Sequence, residues 1–297
     1  MYYDQETQVY LDGAWIKASE AQTGLYSQTL HYGNGVFEGI RAYQTDDGPQ
    51  IFKAKEHYER FLYSAEVMHI PCPYSVDELI KLSYELLDKN GFEDAYIRPL
   101  LYQGEMMTLQ PAEKSHLLLC AWEWGKYLGT KEVRLMTSSY QRPNPKSTHI
   151  QAKLVGHYTN SIMATTEAKA NGYDEALLLD QYGYVAEGPG ANFFYEKNGV
   201  LYTCPLGNIL SGITRQTVFE MAEELEIVIL EKHFTPSDVY KADGAFFTGT
   251  AAEIAPIKSL DGKEFNKPWK ETLGYRLSEL YQKLVRAHTT HFFEPAY

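Results

Sequence analysis

Hydrophobic and polar residues alternate along this chain in two rhythms, and each change of rhythm marks an element. Val9-Tyr10-Leu11 and Ala14-Trp15-Ile16 flank Asp12-Gly13, a pair that tolerates the positive φ angles of a tight turn, so the chain opens on a hairpin. From Ala54 to His69 and from Ser75 to Lys89 the apolar residues recur at helical spacing. The second run starts with a capping box, Ser75 followed three residues on by Glu78. Tyr96 to Gln103 and His116 to Trp122 read as buried strands, after which Glu123 to Gly129 loses periodicity.

The second half begins with a strand from Glu132 to Met136, passes the Pro-rich turn Arg142-Pro-Asn-Pro145, and enters a helix from about Gly156 to Asn171 that stops at Gly172. Strands follow at Ala176 to Leu179 and Tyr184 to Ala186, and at Phe193 to Tyr195 and Val200 to Tyr202 around Asn198-Gly199. Thr214 to Leu225 and Trp269 to Ala287 are amphipathic helices. Strands and helices mix without regular βα alternation, which predicts α+β domains and excludes a Rossmann or TIM arrangement. The expected division is a small N-terminal domain over 1–122, a linker over 123–131 and a larger domain over 132–297.

Composition narrows the function. At 297 residues the chain exceeds what one core usually serves, and a 14% aromatic share with 24 Tyr argues against disorder. Lys plus Arg is 27 against 39 Asp plus Glu, a formal charge of −12, which is the wrong sign for neutralising a phosphate backbone. Nucleic acid is therefore not an expected partner. Cys72, Cys120 and Cys204 are odd in number and far apart, neither a disulfide framework nor a zinc site, and read as reduced thiols of a cytoplasmic protein. No signal peptide or membrane span is evident, and His288 and His291 on the polar tail have no carboxylate or cysteine beside them, so no metal site is expected.

The familiar phosphate loops GxxxxGK[ST] and GxGxxG are absent. Ser211-Gly-Ile-Thr214 instead places a glycine, backbone N–H groups and a hydroxyl at a helix start, which is an anion site by geometry and an ordinary N-cap by frequency. Thr248-Gly-Thr-Ala-Ala252 is a second small-residue turn, able to offer N–H groups or simply to join a strand to a helix. Lys153 is the one charge in an otherwise uncharged stretch from Ser147 to Asn160; apolar surroundings disfavour an ammonium, as a nucleophilic lysine requires, although most lysines are surface groups. Glu187 ends a buried-looking strand beside glycines, and alone would be a turn carboxylate.

Joint order lifts these signals. His31-Tyr-Gly-Asn-Gly-Val-Phe-Glu-Gly-Ile-Arg-Ala-Tyr43, Glu56-His-Tyr-Glu-Arg60, Ala95-Tyr-Ile-Arg-Pro99, Trp124-Gly-Lys-Tyr-Leu-Gly129, Lys153 with Tyr158, Glu187-Gly-Pro-Gly, Ser211-Gly-Ile-Thr-Arg215 and Thr248-Gly-Thr-Ala-Ala-Glu-Ile254 occur in one sequence. Across nearly its whole length the chain resembles the branched-chain amino-acid aminotransferases, pyridoxal-phosphate enzymes of fold type IV. The resemblance implies a two-domain fold like that of the D-amino-acid aminotransferases, with a small α+β domain and a larger mixed, barrel-like β domain carrying helices.

It also implies roles. Lys153 would be the lysine that binds pyridoxal 5'-phosphate covalently and carries the proton between Cα and C4′. Glu187 would bond the pyridine nitrogen and Tyr158 the phenolic oxygen. Arg60, Gly212, Ile213, Thr214 and Thr250 would hold the phosphate, and Leu210 would back the ring. Tyr32, Phe37, Trp124 and Tyr127 would form an apolar pocket, with Tyr96, Thr250 and the N–H groups of Ala251 and Ala252 at the α-carboxylate. Arg98 would meet the γ-carboxylate of glutamate, which a transaminase acting on leucine, isoleucine and valine with 2-oxoglutarate must also bind. Substrates are then small amino and 2-oxo acids, and the assembly is at least a homodimer in which the loop Met106 to Gln110 completes the neighbouring subunit's site.

Two features depart from the family: Ala191 stands where bacterial members often carry a second acidic residue, and the Cys-x-x-Cys of some animal members is missing. A D-amino-acid aminotransferase, an aminodeoxychorismate lyase and a catalytically silent relative are the rival readings; retention of Lys153 argues against the last.

Overall fold

The computed structural model describes residues 2–124 and 132–287. The chain forms two compact units, the first comprising Met1–Gly125, Ala152–Gly156 and Leu284–Tyr297 and the second Lys126–Gln151 and His157–Lys283. Most of the expected linker, from 125 to 131, lies outside the described residues. The segment around Lys153, read from sequence as part of the second domain, packs with the first unit.

The first unit is an antiparallel sheet of β1 (Gln8–Leu11), β2 (Ala14–Lys17), β3 (Gly35–Phe37), β4 (Ile40–Thr45), β5 (Gly48–Ile51), β6 (Ala95–Gln103) and β7 (Ser115–Trp122), in the order β2-β1-β7-β6-β4-β5 with β3 also on β6. The hairpin turns through Asp12 at φ 49° and Gly13 at φ 93°, the positive angles expected of that pair. β3 and β4 share the edge of β6 because Glu38-Gly39 interrupts them: β3 pairs with Leu100–Tyr102 and β4 with Ala95–Ile97. Pro99 faces that break, where its missing N–H is harmless, and its carbonyl accepts the Glu38 N–H at 3.0 Å.

Period-two alternation then separates the sheet's faces. Val36, Ile40, Ala42, Ile97, Leu101, Leu119 and Ala121 form one core with Tyr58 and Phe61 of α2 (Ala54–Val67) and Leu79 and Leu86 of α3 (Val76–Asn90). Each large aliphatic buried there stabilises the unit by about 1.5–3 kcal/mol. The opposite face carries Phe37, Arg41, Tyr96, Arg98, Cys120 and Trp122 by the same register. Helix α3 has the expected capping box, with Glu78 N–H to Ser75 Oγ at 3.3 Å and Ser75 N–H to Glu78 Oε2 at 2.8 Å.

The second unit is a mixed sheet of β8 (Val133–Gln141), β9 (Glu175–Leu179), β10 (Asn192–Lys197), β11 (Val200–Thr203), β12 (Ile229–Glu231), β13 (Gly244–Gly249) and β14 (Glu253–Leu260), in the order β12-β11-β10-β13-β14-β8-β9, with β15 (Lys263–Glu264) on β14. The pairs β8 with β9, β8 with β14 and β11 with β12 are parallel and the others antiparallel. Phe193, Tyr195, Phe234 and Phe247 fill its core. On the other face of the central strands Phe194 stacks on Phe246 at 5.1 Å and meets Phe219 of α5 (Ile213–Glu224).

Three expectations change. Tyr184 to Ala186 forms no strand, since only Val185 makes a bridge, to Leu179. The Thr248 to Ala252 turn joins antiparallel β13 to β14, not a strand to a helix. The helix expected from Trp269 starts as a separate turn, Trp269–Glu271, broken at Thr272 (ψ 158°) before Leu273–Leu284. No helix among the described residues is long and apolar enough to cross a membrane.

Candidate active site

In the first unit the Glu38-Gly39 break turns a carboxylate into the sheet edge, where Glu38 is completely buried. Such a group must be paired. Arg60 grips it with two hydrogen bonds, Nε to Oε1 at 2.7 Å and Nη2 to Oε2 at 2.9 Å, and His57 Nδ1 lies 2.8 Å from Oε2. His57 and Arg60 reach the same carboxylate because they are three residues apart on α2. Burial would raise the Glu38 pKa, but the charge of Arg60 and the His57 hydrogen bond outweigh it and hold the carboxyl well below its usual range. Burial holds His57 below its ordinary value against the pull of Glu38, with Arg60 and Lys153 adding to the depression. A neutral ring with its proton on Nδ1 donates to the carboxylate.

Lys153 is fixed through its backbone. Its N–H donates to Ser64 Oγ at 3.0 Å, its carbonyl accepts the Phe37 N–H at 3.1 Å, and the next residue bridges Val36. Its Nζ lies 5.0 Å from the Phe37 ring centroid. Gly33 and Gly156 allow this segment to run against the first unit, since a Cβ at Gly33 would sit 2.9 Å from Gly156 Cα.

Arg98 lies on the sheet's second face. Its guanidinium carbon is 4.6 Å from the Phe37 centroid, 5.5 Å from Tyr96 and 5.7 Å from Trp122. Its Nε–H has no hydrogen-bond partner among the described residues, and no described carboxylate pairs with it. Tyr96 reaches over Gly39, where a Cβ would come within 1.8 Å of its hydroxyl, and packs edge-on against Trp124 at 4.8 Å. Tyr32, at the end of α1 (Gln28–Tyr32), donates to the Met107 carbonyl at 3.3 Å, while Gln28 Nε2 donates to the Thr108 and Gln110 carbonyls at 2.9 and 2.6 Å. That holds the Met106 to Gln110 loop in place with Leu109 88% exposed. Tyr127 lies outside the described residues.

In the second unit Glu187 is buried and ringed by donors. Asn192 Nδ2 donates to Oε2 at 2.9 Å, the Leu210 N–H to Oε1 at 3.2 Å, and Arg142 Nε lies 2.9 Å from Oε1 as a charge contact without hydrogen-bond alignment. Asn192 also donates to the Leu210 carbonyl at 2.9 Å, so Glu187 and Leu210 are fixed together. Arg142 and Asn192 support Glu187 where Ala191 offers no second carboxylate. Sequence reading missed both; the signal was Arg142 directly after a strand and an amide beside the Glu-Gly-Pro-Gly turn.

Gly212 caps α5 without a side-chain hydrogen bond, and no acidic residue occupies the first turn. The N–H groups at Ile213 and the buried Thr214 therefore form a positive helix end with nothing covalent to quench it. A Cβ at Gly212 would fall 1.9 Å from Asn192 Oδ1. Thr250, Ala251 and Ala252 form the tight turn from β13 to β14, closed by Glu253 at φ 56° and held by Gln282 Nε2, 2.8 Å from Glu253 Oε2. Tyr158 opens α4 (Tyr158–Ala170). The uncapped helix end and the donor-ringed carboxylate fit a phosphorylated pyridine.

The class model for amino-transferases of class IV matches residues 35–260, and the chain belongs to that family. A branched-chain-amino-acid aminotransferase of Pseudomonas aeruginosa is 40% identical over 292 residues, 96% of this chain and 95% of that one. The crystal structure of the branched-chain aminotransferase of Thermoproteus uzoniensis with norvaline is 41% identical, with a TM-score of 0.90 over 94% of each chain. That of the Thermobaculum terrenum branched-chain amino acid aminotransferase in its PLP-bound holo form is 30% identical, with a TM-score of 0.89 over 95% of each chain. These are the fold and family that the sequence motifs led us to expect.

Proposed function

We infer that the chain is a pyridoxal-phosphate transaminase that moves the amino group of L-leucine, L-isoleucine or L-valine to 2-oxoglutarate. The observation that carries the specificity is Arg98: a cation with no protein counter-charge among the described residues, walled by aromatic rings. An alkyl side chain can lie against those rings, and a γ-carboxylate can pair with the guanidinium. One pocket can so accept both partners of a ping-pong reaction.

When bound, pyridoxal phosphate supplies an electrophilic carbonyl and an electron sink. Lys153 would be the covalent anchor and would take the proton from substrate Cα. Glu187, oriented by Asn192 and the Leu210 N–H, would hold a proton at the pyridine nitrogen, and Leu210 would back the ring. Tyr158 would donate to the phenolic oxygen. The α5 end at Gly212, Ile213 and Thr214, Thr250, and Arg60, whose guanidinium Glu38 fixes, are the residues that would hold the phosphate. Tyr96 and the Ala251 and Ala252 N–H groups receive the α-carboxylate beside Thr250, and Phe37, Trp124, Tyr32 and Tyr127 form the apolar wall.

The protein works as a homodimer at least, supported by Leu25, Tyr26, Leu30 and Leu109, exposed at 80, 65, 62 and 88% on and around α1 and its bonded loop. Its free thiols suit the cytoplasm. Incubation of the purified protein with L-leucine and 2-oxoglutarate should yield L-glutamate and the branched 2-oxo acid, and D-alanine should not replace leucine. Failure with leucine, or turnover of the D-amino acid, overturns the reading.

A further inference from the structure

Trp122 shares the Arg98 face of the sheet, and its indole N–H is buried without a hydrogen-bond partner. Register places Trp122 opposite Tyr96 and Arg98 opposite Cys120, so the two are diagonal neighbours across β6 and β7. The indole centroid lies 5.7 Å from the guanidinium carbon. The ring is held by apolar contacts instead of a hydrogen bond: Tyr96 at 5.2 Å, Trp124 at 5.6 Å and the edge of Tyr2 at 5.4 Å.

Proteins seldom leave a buried N–H unpaired, because the group forfeits its water and gains nothing in return. Here two such donors, Arg98 Nε–H and Trp122 Nε1–H, stand side by side. Both are donors only, one is a cation, and neither reaches an acceptor among the described residues, the hydroxyls of the neighbouring tyrosines included. The matching ligand group is an anion with acceptors only. The guanidinium carbon and the indole centroid are 5.7 Å apart, and a carboxylate offers two acceptor oxygens, each able to take a bond of about 2.9 Å from one donor.

We propose that Trp122 is a specificity residue for the dicarboxylic half-reaction: its indole N–H, together with Arg98, hydrogen-bonds the distal carboxylate of glutamate and 2-oxoglutarate. The proposal rests on the reading of Arg98 given above. In the branched-chain half-reaction the N–H goes unused and only the ring face is in contact, so the donor discriminates between substrates without obstructing either.

Trp122→Phe keeps an aromatic ring, though a smaller one, and deletes the donor. Calorimetric titration of the full-length holoenzyme with the unreactive analogues glutarate and 4-methylvalerate reads the effect. Glutarate should bind about tenfold more weakly or worse, as expected for loss of one charge-assisted hydrogen bond, and 4-methylvalerate within about twofold of wild type. Unchanged glutarate affinity, or equal loss for both acids, overturns the assignment. Should the variant fail to fold, the wild-type ¹⁵N-indole spectrum decides, with the Trp122 resonance assigned by elimination through Trp15→Phe, Trp124→Phe and Trp269→Phe: that resonance must move downfield with glutarate and not with 4-methylvalerate, and a signal that moves equally with both or with neither refutes the proposal. Arg98→Leu separates the two claims. If it abolishes glutarate binding while Trp122→Phe does not, only the indole role falls; if it leaves glutarate binding intact, the reading of the pocket falls first.

Discussion

Replacing Glu38 by glutamine should destabilise the protein more than any other single-atom exchange in the site. The carboxylate is fully buried and accepts from Arg60 twice, at 2.7 and 2.9 Å, and from His57 at 2.8 Å, with the Gly39 N–H at 3.2 Å from Oε2. Glutamine keeps one acceptor but turns an NH₂ group toward a donor, and leaves the guanidinium of Arg60 without its counter-charge. Adding the bonds singly would overstate the loss, since they share one charge. The better guide is the cost of breaking a buried ion pair from one side, about 3–5 kcal/mol. At about 2–4 °C per kcal/mol for a unit of this size, the apoprotein's Tm should fall by roughly 6–20 °C at pH 7.

The same geometry fixes the pH behaviour of that gap. Because the folded carboxyl titrates well below the unfolded value of 4.5, its contribution is fully present above that value and is lost as pH falls through the folded pKa. The wild-type and Glu38→Gln curves should therefore stay parallel from neutral pH down to the ordinary carboxylate range and converge only below it. Scanning calorimetry of the apoproteins, with Arg60→Met and the double variant completing a cycle, supplies the test. The double variant should lose less than the sum of the singles, because no uncompensated charge remains. A Tm shift within experimental error, or strict additivity, would refute the claim that the triad acts as a unit.

Other positions give narrower expectations. Lys153→Ala should fold normally yet lack the visible absorption of the wild-type protein, and its transamination rate should fall by several orders of magnitude, because anchor and proton carrier are removed together; near-normal turnover would displace Lys153. Gly212→Ala should weaken cofactor binding at least about tenfold in a titration of the apoprotein, since the new Cβ must push aside an Asn192 amide tied to Glu187 and Leu210. Burial, helped by the charges of Arg142 and His149, pushes His157 down to about 4, so the unfolded chain takes up a proton between its ordinary 6.5 and that value while the folded one does not. Stability from this residue is present above pH 6.5 and drains as pH falls toward 4; His157→Gln should flatten that part of the Tm profile, and an unaltered slope would count against it.

The parts of the fold that were legible are those decided within a few residues. Ser75 and Glu78 announce α3 because both arms of a capping box are local, and Asp12-Gly13 announces the first hairpin because a tight turn needs positive φ at fixed places. β3 and β4 were not anticipated, since each is a short apolar piece interrupted at Glu38-Gly39 and takes its identity from β6. β14 failed for a related reason: the sharp turn before it is closed by Glu253 in a left-handed conformation where glycine would be the usual signal. The membership of 152–156 in the first unit is a long-range matter that no window of sequence contains. Family motifs named candidate residues; their partners were hidden. Glu38 could have been found, because a lone carboxylate in Gly-Val-Phe-Glu-Gly-Ile demands a buried cation, and His57 and Arg60 offer one helical face. Trp122 could not, since its significance depends on what stands beside it in the folded chain.

The pleat of the first sheet joins stability to specificity at one point. Along β6, Ile97 and Leu101 enter the core while Tyr96 and Arg98 face the other way, and β7 answers with Leu119 and Ala121 against Cys120 and Trp122. A register slip of one residue would exchange the two sets, burying a guanidinium in the core and presenting isoleucine to substrate. The register must therefore be pinned more firmly than the hydrophobic pattern alone would require. Pro99 does this from within β6: lacking an N–H, it fits only opposite the break, where its carbonyl takes the Glu38 N–H. At that break Glu38 pairs with Arg60 and His57, so the residue that fixes the proposed phosphate ligand stands opposite the part of β6 that carries Arg98. A change at Glu38 should thus disturb cofactor and dicarboxylate binding together, although Arg60 and Arg98 lie on different elements.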